Sequence, residues 1–112
     1  MIRALFWLSV LGISIASLVP VGMLPPQTLD IWDKAQHTVA FVWLGLCGLL
    51  AYPKHLPHVV SGLLVLGGAI ELAQAATGWR YGEWLDLAAD AVGISLAAAV
   101  WLLWHNRTPA RA

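Results

Sequence analysis

Residues 56–76 read LPHVVSGLLVLGGAIELAQAA, and this stretch decides what class of protein the sequence encodes. A helix that crosses the hydrocarbon core of a bilayer needs about 20 mainly apolar residues, and the run has that length and composition. Glu71 nevertheless lies inside it. An ionisable side chain within a membrane span is energetically costly, which points to a site rather than to chance. The stretch therefore predicts both a transmembrane helix and a polar site built into it.

Three similar runs and a scarcity of charge extend this prediction to the whole chain. Of the 112 residues, 60% are hydrophobic and 11% are charged, whereas soluble domains carry about 25% charged residues. Prolines mark the connections between the runs, and Pro53 and Pro57 bracket a tight turn. We predict an all-α, integral membrane four-helix bundle that forms a single domain over residues 1–112, with spans at residues 4–23, 35–52, 56–76 and 87–104.

The distribution of charge predicts how the bundle is oriented. The formal net charge is zero, so the overall charge gives no support to a nucleic-acid partner. All acids fall in or beside the first and third connections: Asp30, Asp33, Glu71, Glu83, Asp86 and Asp90. The opposite side carries Arg3, Lys54, Arg107 and Arg111. Because Lys and Arg mark the cytoplasmic side, we predict that both termini are cytoplasmic.

The first run permits a second interpretation. Arg3, the apolar run and Ser14-Ile15-Ala16 resemble a short signal peptide with a small-residue cleavage site. However, apolar sequence continues through Met23, and only one charge precedes the run. These two features favour a retained span over a cleaved signal.

Polar side chains from three of the predicted helices gather near the non-cytoplasmic face. Each of these helices carries two of them three or four residues apart, a spacing that places both on one helix face. The pairs are Asp33 with His37, Glu71 with Gln74, and Asp86 with Asp90, and the neighbouring cations are Lys34 and Arg80. We predict that these eight residues form one binding site. Two plainer roles compete with this prediction. Buried polar groups also hold membrane helices together, and Asp33 and Asp86 stand where N-cap residues are expected.

Small residues predict where the helices approach closely. Ala89, Gly93 and Ala97 form one ladder at helical spacing, and Ala69 and Ala73 form another. Such ladders let helix backbones come together in lipid, so we predict tight packing between the third and fourth helices with their acids pointing inward. The one cysteine, Cys47, cannot form an internal disulfide and is predicted to be a small buried hydrophobe.

The polar residues also resemble a known pattern, that of the VanZ-like family of small bacterial membrane proteins. The resemblance runs from about residue 33 to residue 97 and is carried by Asp33-Lys34-Ala35-Gln36-His37, Glu71-Leu72-Ala73-Gln74, Arg80, Asp86 and Gly93. It departs at Asp90, where the family more often has asparagine, and at Thr38, where an aromatic residue is usual. The resemblance implies a multi-pass protein of the bacterial plasma membrane. The family's namesake is associated with reduced susceptibility to the glycopeptide teicoplanin, which implies a role at the cell envelope.

Three classes of function fit such a site. The first is non-enzymatic binding of a lipid headgroup or a lipid-linked cell-wall precursor at the outer face. Lys34 and Arg80 suit a phosphate, whereas the surplus of acids suits an amine, a sugar hydroxyl or a metal ion better.

The second class is a membrane-embedded enzyme, a metal-assisted or acid/base-assisted hydrolase or transferase acting on a lipid-linked substrate. Its candidate catalytic residues are His37, Glu71, Asp86 and Asp90, which are also candidate ligands for a divalent metal. The third class is proton or ion movement, which the apolar inner half of the spans disfavours for a single protomer. The sequence leaves a homo-oligomer open.

Overall fold

Four helices that alternate in direction make up the described part of the chain. The computed structural model describes residues 1–18, 30–77 and 84–106, with the side chains of residues 30–33, 84 and 106 left out of the description. The helices are α1 (Ile2–Leu18), α2 (Asp30–Ala51), α3 (Leu56–Thr77) and α4 (Trp84–Asn106). These three stretches of chain contain no strand. The prediction of an all-α, four-helix architecture is therefore confirmed for them.

The helix bounds differ from the predicted spans mainly at the starts of α2 and α4. α2 begins at Asp30 and α4 at Trp84, both ahead of the apolar runs predicted at 35 and 87. Acids in the first turn of a helix interact favourably with its N-terminal dipole, which lets each helix extend into polar sequence. Asp33 and Asp86 consequently lie inside their helices, and the prediction that they are N-cap residues is wrong. The last predicted residues of the first span, 19–23, lie outside the described residues.

The turn between α2 and α3 is as tight as its prolines predict. The Tyr52 amide donates to the Gly48 carbonyl oxygen at 2.8 Å, and the His55 amide donates to the Tyr52 carbonyl oxygen at 3.1 Å. Pro57 falls in the first turn of α3, where an amide has no helical partner to lose. The next helix can therefore start within a few residues of the previous one.

The closest approach between helices joins α2 to α4. A Cβ atom at Gly93 would collide with the Thr38 carbonyl oxygen and would lie 3.0 Å from the Val42 backbone nitrogen. One helical turn further, a Cβ at Gly45 would lie only 2.5 Å from the Cβ of the fully buried Ala97. The ladder of small residues on α4 thus faces α2, which confirms the prediction that the ladder marks a close contact with another helix. A ladder reveals that a helix approaches closely but does not reveal which helix approaches.

α3 reaches α4 at a different glycine. A Cβ at Gly67 would lie 2.9 Å from Asp90 Oδ2 and 3.3 Å from Leu87 Cδ1, so only glycine leaves room for the carboxylate there. The second predicted ladder does not form such a contact, because Ala69 is exposed on α3.

The core and the outer surface are both apolar. The buried cluster includes Phe41, Leu44 and Cys47, which confirms the prediction that the cysteine is a small buried hydrophobe. Many large apolar side chains point outward instead, among them Val65, which is 72% exposed. Two helical segments, Leu56–Thr77 and Leu85–His105, are long and apolar enough to cross a membrane, whereas α1 is apolar but shorter.

Candidate functional site

The predicted polar residues meet at the end of the bundle where α2 and α4 begin and α3 ends. Because α2 and α4 run parallel and touch closely, residues one turn into each helix face one another. Lys34 and His37 on α2 meet Asp86 and Asp90 on α4 in this way. The close approach at Gly93, about one turn deeper, brings these side chains within bonding distance.

Four side chains form a continuous chain of ion pairs. Lys34 Nζ donates to Asp86 Oδ1 at 3.1 Å, and Asp86 Oδ2 lies 3.8 Å from His37 Nε2. The chain ends where His37 Nδ1 meets Asp90 Oδ1 at 2.9 Å. Both aspartates are buried, while Lys34 and His37 keep part of their side chains exposed. We name this set the ion-pair chain.

Alternation of charge explains how the ion-pair chain is accommodated away from water. A buried carboxylate without a partner is strongly destabilising, whereas one that is paired and hydrogen-bonded is tolerated. With a protonated imidazole at His37, cations and anions alternate along the chain and their charges cancel. With a neutral imidazole, the shorter contact places the ring proton on Nδ1, which then donates to Asp90.

Thr38 supports this cluster, a role that its sequence context did not predict. Its hydroxyl Oγ1 lies 3.0 Å from the Lys34 carbonyl oxygen and 3.2 Å from the Ala89 carbonyl oxygen. The single proton is shared between a carbonyl of its own helix and one of the neighbouring helix. Thr38 therefore fixes the register of α2 against α4 directly beside His37.

Glu71 brings α3 into the site. The prediction that its side chain points into the bundle is confirmed, because Glu71 is only 6% exposed. One ligand atom each from His37, Glu71 and Asp90 lies within 4.8 Å of the others. We name these three residues the His-Glu-Asp trio. A nitrogen and two carboxylate oxygens are donors that divalent transition metals accept, and the same groups can exchange protons with a substrate.

Gln74, which was predicted to belong to the site, ties α3 to α1. Its side-chain nitrogen Nε2 donates to the Ser17 carbonyl oxygen at 2.8 Å. Gln74 is 1% exposed, and its Oε1 atom has no hydrogen-bond partner among the described residues. Ser17 in turn donates from Oγ to the Ile13 carbonyl oxygen at 2.7 Å. Nothing in the sequence distinguishes Ser17 from other helical serines, so its part in this contact was not predicted.

Two predicted site residues fall outside what the structure describes. The side chain of Asp33 is one, although its backbone belongs to the first turn of α2. Arg80, predicted to lie above the acids, is the other. Their participation stays a prediction. The residues brought together are Lys34, His37, Glu71, Asp86 and Asp90, with Gln74 buried one turn from Glu71.

No family model matches the chain, and searches of curated proteins and of solved structures found no match. The geometry of the cluster and the distribution of apolar surface are therefore the grounds for assigning a function.

Proposed function

We propose that this chain is a multi-pass protein of the bacterial plasma membrane, with four spans and both termini in the cytoplasm. Two helices of spanning length and composition support the proposal, as do outward-facing residues such as Leu72 and Val65. A water-soluble fold would have to expose this apolar surface to water, which favours aggregation. The α2 helix carries Lys34 and His37 in its first turns, where both pair with acids of α4.

The ion-pair chain is the observation that carries the functional proposal. We propose that it forms, with Glu71, a binding site at the outer face for a lipid headgroup or a lipid-linked cell-wall precursor. Ionisable side chains inside a membrane bundle are expensive and usually serve function. Lys34 and His37 are the partly exposed members, so a ligand reaches the cluster on their side. The resemblance to the VanZ-like family, whose namesake affects susceptibility to a glycopeptide, agrees with an envelope role.

The balance of charge favours one kind of headgroup. Lys34 is already engaged by Asp86, so a phosphate would have to compete with a buried carboxylate for it. Glu71 adds a third acid beside the ion-pair chain. Carboxylates accept hydrogen bonds from hydroxyl and ammonium groups. The site therefore fits a headgroup that presents an amine or sugar hydroxyls better than one recognised by its phosphate alone.

Lipid binding by the purified protein in phosphatidylcholine nanodiscs tests the proposal. Phosphatidylethanolamine and a polyprenyl-linked disaccharide precursor are titrated separately, and bound lipid is counted by native mass spectrometry. We expect one of them to bind in preference to phosphatidylcholine, and Glu71→Gln and Asp90→Asn to weaken that binding at least tenfold. Ser61→Ala is the matched control, because the Ser61 hydroxyl donates only within its own helix. Equal binding by all of these variants would overturn the proposal.

The His-Glu-Asp trio favours a second candidate, a membrane-embedded hydrolase or transferase acting on a lipid-linked substrate. Its donor set suits a divalent metal that polarises a phosphoryl group, and His37 between two carboxylates suits proton transfer. Release of product from the same polyprenyl-linked lipid, with Mn²⁺ or Zn²⁺ added and with a chelator, separates the candidates. Turnover that His37→Ala abolishes favours the enzyme, whereas binding without turnover favours the first proposal.

A further inference from the structure

A groove lies between α1 and α3, remote from the ion-pair chain. Its volume is about 730 Å³, within the range of about 300–1,000 Å³ that is typical of sites for small molecules. Apolar side chains such as Val10 and Leu66 line most of it. It follows α3 from His58 in the first turn to Ala69, a length of about 17 Å at 1.5 Å per residue. One leaflet of hydrocarbon is about 15 Å thick, so the groove is long enough for an acyl chain.

The groove has a polar end. Tyr52, His55 and His58 line it there, and both histidines are exposed. The Arg3 guanidinium lies over the Tyr52 ring, 4.6 Å from its centroid, and its Nε donates to the Ala51 carbonyl oxygen at 3.3 Å. The Tyr52 hydroxyl accepts a hydrogen bond from Trp7 Nε1 at 3.0 Å, which joins α1 to the turn between α2 and α3 at this end of the groove.

The charged groups at the polar end of the groove are all positive. The sequence contains no Asp or Glu in residues 1–29, 38–70 or 91–112, and these ranges include every residue of the groove. Arg3 and the exposed Lys54 supply permanent positive charge, and the imidazoles of His55 and His58 supply N–H donors. Basic pockets between helices on the cytoplasmic side of a membrane attract anionic headgroups. An apolar groove closed by such a cluster is complementary to a lipid with a charged phosphate.

We propose that this groove binds an anionic phospholipid of the inner leaflet, with one acyl chain between α1 and α3 and its phosphate held by Arg3, His55 and His58. The leaflet assignment rests on the proposed membrane topology, whereas the binding itself does not. Arg3 is suited to this role because it is exposed and its hydrogen bond to Ala51 uses Nε, so the terminal N–H groups of the guanidinium can donate to a phosphate.

The test compares phosphatidylglycerol with phosphatidylcholine of the same acyl chains, added to the detergent-purified protein and counted by native mass spectrometry. We expect phosphatidylglycerol to bind at least tenfold more tightly, and the preference to shrink as salt rises because the phosphate contacts are screened. Arg3→Gln is expected to weaken phosphatidylglycerol binding roughly fivefold, the effect of about one basic group at a membrane surface. The double variant His55→Gln/His58→Gln should weaken it further. His105→Gln, at the same end on α4, should not. Equal binding of the two lipids would overturn the proposal.

A second variant addresses the groove itself, because Arg3→Gln also removes the contact with α2. A Cβ at Gly62 would meet nothing within 4 Å, and Gly62 lines the groove, so Gly62→Leu places an apolar side chain where the acyl chain would lie. Gly68→Leu is the matched control, because a Cβ there also meets nothing within 4 Å and Gly68 lies on the same helix outside the lining. We expect Gly62→Leu alone to reduce binding of phosphatidylglycerol, and an equal effect of both variants would exclude the groove. Glu71→Gln should leave this binding unchanged, which separates this site from the outer one.

Discussion

At the scale of single residues, His37 is the centre of the cluster because both of its ring nitrogens face carboxylates. The shorter contact, at 2.9 Å, joins His37 Nδ1 to Asp90 Oδ1, and Asp90 is completely buried. Asp86 is shared between His37 and Lys34 and is held from both sides. The sequence predicted this gathering because polar residues inside apolar runs must avoid lipid. It did not predict Thr38 or Ser17, since a hydroxyl that bonds to a backbone carbonyl leaves no pattern in the sequence.

Removal of the Asp90 carboxylate is expected to destabilise the bundle. Asp90→Ala deletes the acceptor of His37 Nδ1 and leaves a cavity beside Gly67. We expect the free energy of unfolding in detergent micelles to fall by roughly 1–2 kcal/mol, the size of polar contacts between membrane helices. An SDS titration monitored by circular dichroism measures it. Ser61→Ala should change it by less than about 0.5 kcal/mol. Equal stability of Asp90→Ala and wild type would show that the contact contributes nothing to the fold.

Substitution of Glu71 separates a binding role from a packing role. Glu71→Gln preserves the shape of the buried side chain while removing its charge, so we expect near-native unfolding together with loss of headgroup binding. Glu71→Ala also removes packing volume and should lower both stability and binding. The same purified samples serve for the SDS titration and for the lipid-binding assay. Intact lipid binding by a folded Glu71→Gln protein would identify Glu71 as a packing residue.

At the scale of helices, the sequence predicts elements better than it predicts their neighbours. The lengths of the apolar runs and the positions of the prolines predicted all four helices. The small-residue ladder on α4 identified a helix face that is indeed buried. The partner of that face is α2, whereas the predicted close packing of the third and fourth helices occurs at Gly67 instead. The reason is physical. The glycine at position 93 indicates that the backbone of another helix lies close, but which helix it is depends on how all four helices pack, and here it is α2 at Thr38.

Gly93→Ala is expected to force α2 and α4 apart. The added methyl group would meet the Thr38 carbonyl oxygen and the Val42 nitrogen, which are backbone atoms and cannot rotate away. We expect a loss of about 1–3 kcal/mol in the free energy of unfolding, as for other overpacked cores. Gly68→Ala is the control, because a methyl group there meets nothing within 4 Å and alanine favours a helix by about 1 kcal/mol over glycine. Greater stability of both variants would contradict the close contact.

At the scale of the whole molecule, the described acidic residues lie at one end of the bundle, and the other end carries basic residues. One end holds the ion-pair chain and Glu71, and the other holds Arg3, Lys54 and the paired rings of His55 and His58. The alternation of four helices produces this separation, because the starts of α2 and α4 and the end of α3 share one end. The sequence showed the separation of charge in advance, since it depends only on which connection each charged residue occupies.

This separation makes membrane orientation the property that the sequence predicts most directly. The basic end carries Arg3 and Lys54, with Arg107 and Arg111 following α4 in the sequence, whereas Lys34 lies at the other end and Arg80 follows α3 in the sequence. Positively charged residues in short connections are retained in the cytoplasm during insertion, so the basic end should remain there.

Reporter fusions measure that orientation. We expect a fluorescent protein fused after Asn106 to be fluorescent, and alkaline phosphatase to be active when inserted near Gln27 or Gly82, positions outside the described residues. As controls, the two reporters are exchanged. Alkaline phosphatase after Asn106 should be inactive, and the fluorescent protein near Gln27 or Gly82 should not fluoresce. Replacing Arg3 and Lys54 with glutamate removes half of the cations on the basic side. The fusions should then report a mixed orientation, because the predicted loops and helix ends of each side carry the same number of Lys and Arg residues. Phosphatase activity after Asn106 in the unaltered chain would rule out the four-span topology, and with it the placement of the ion-pair chain at the outer face.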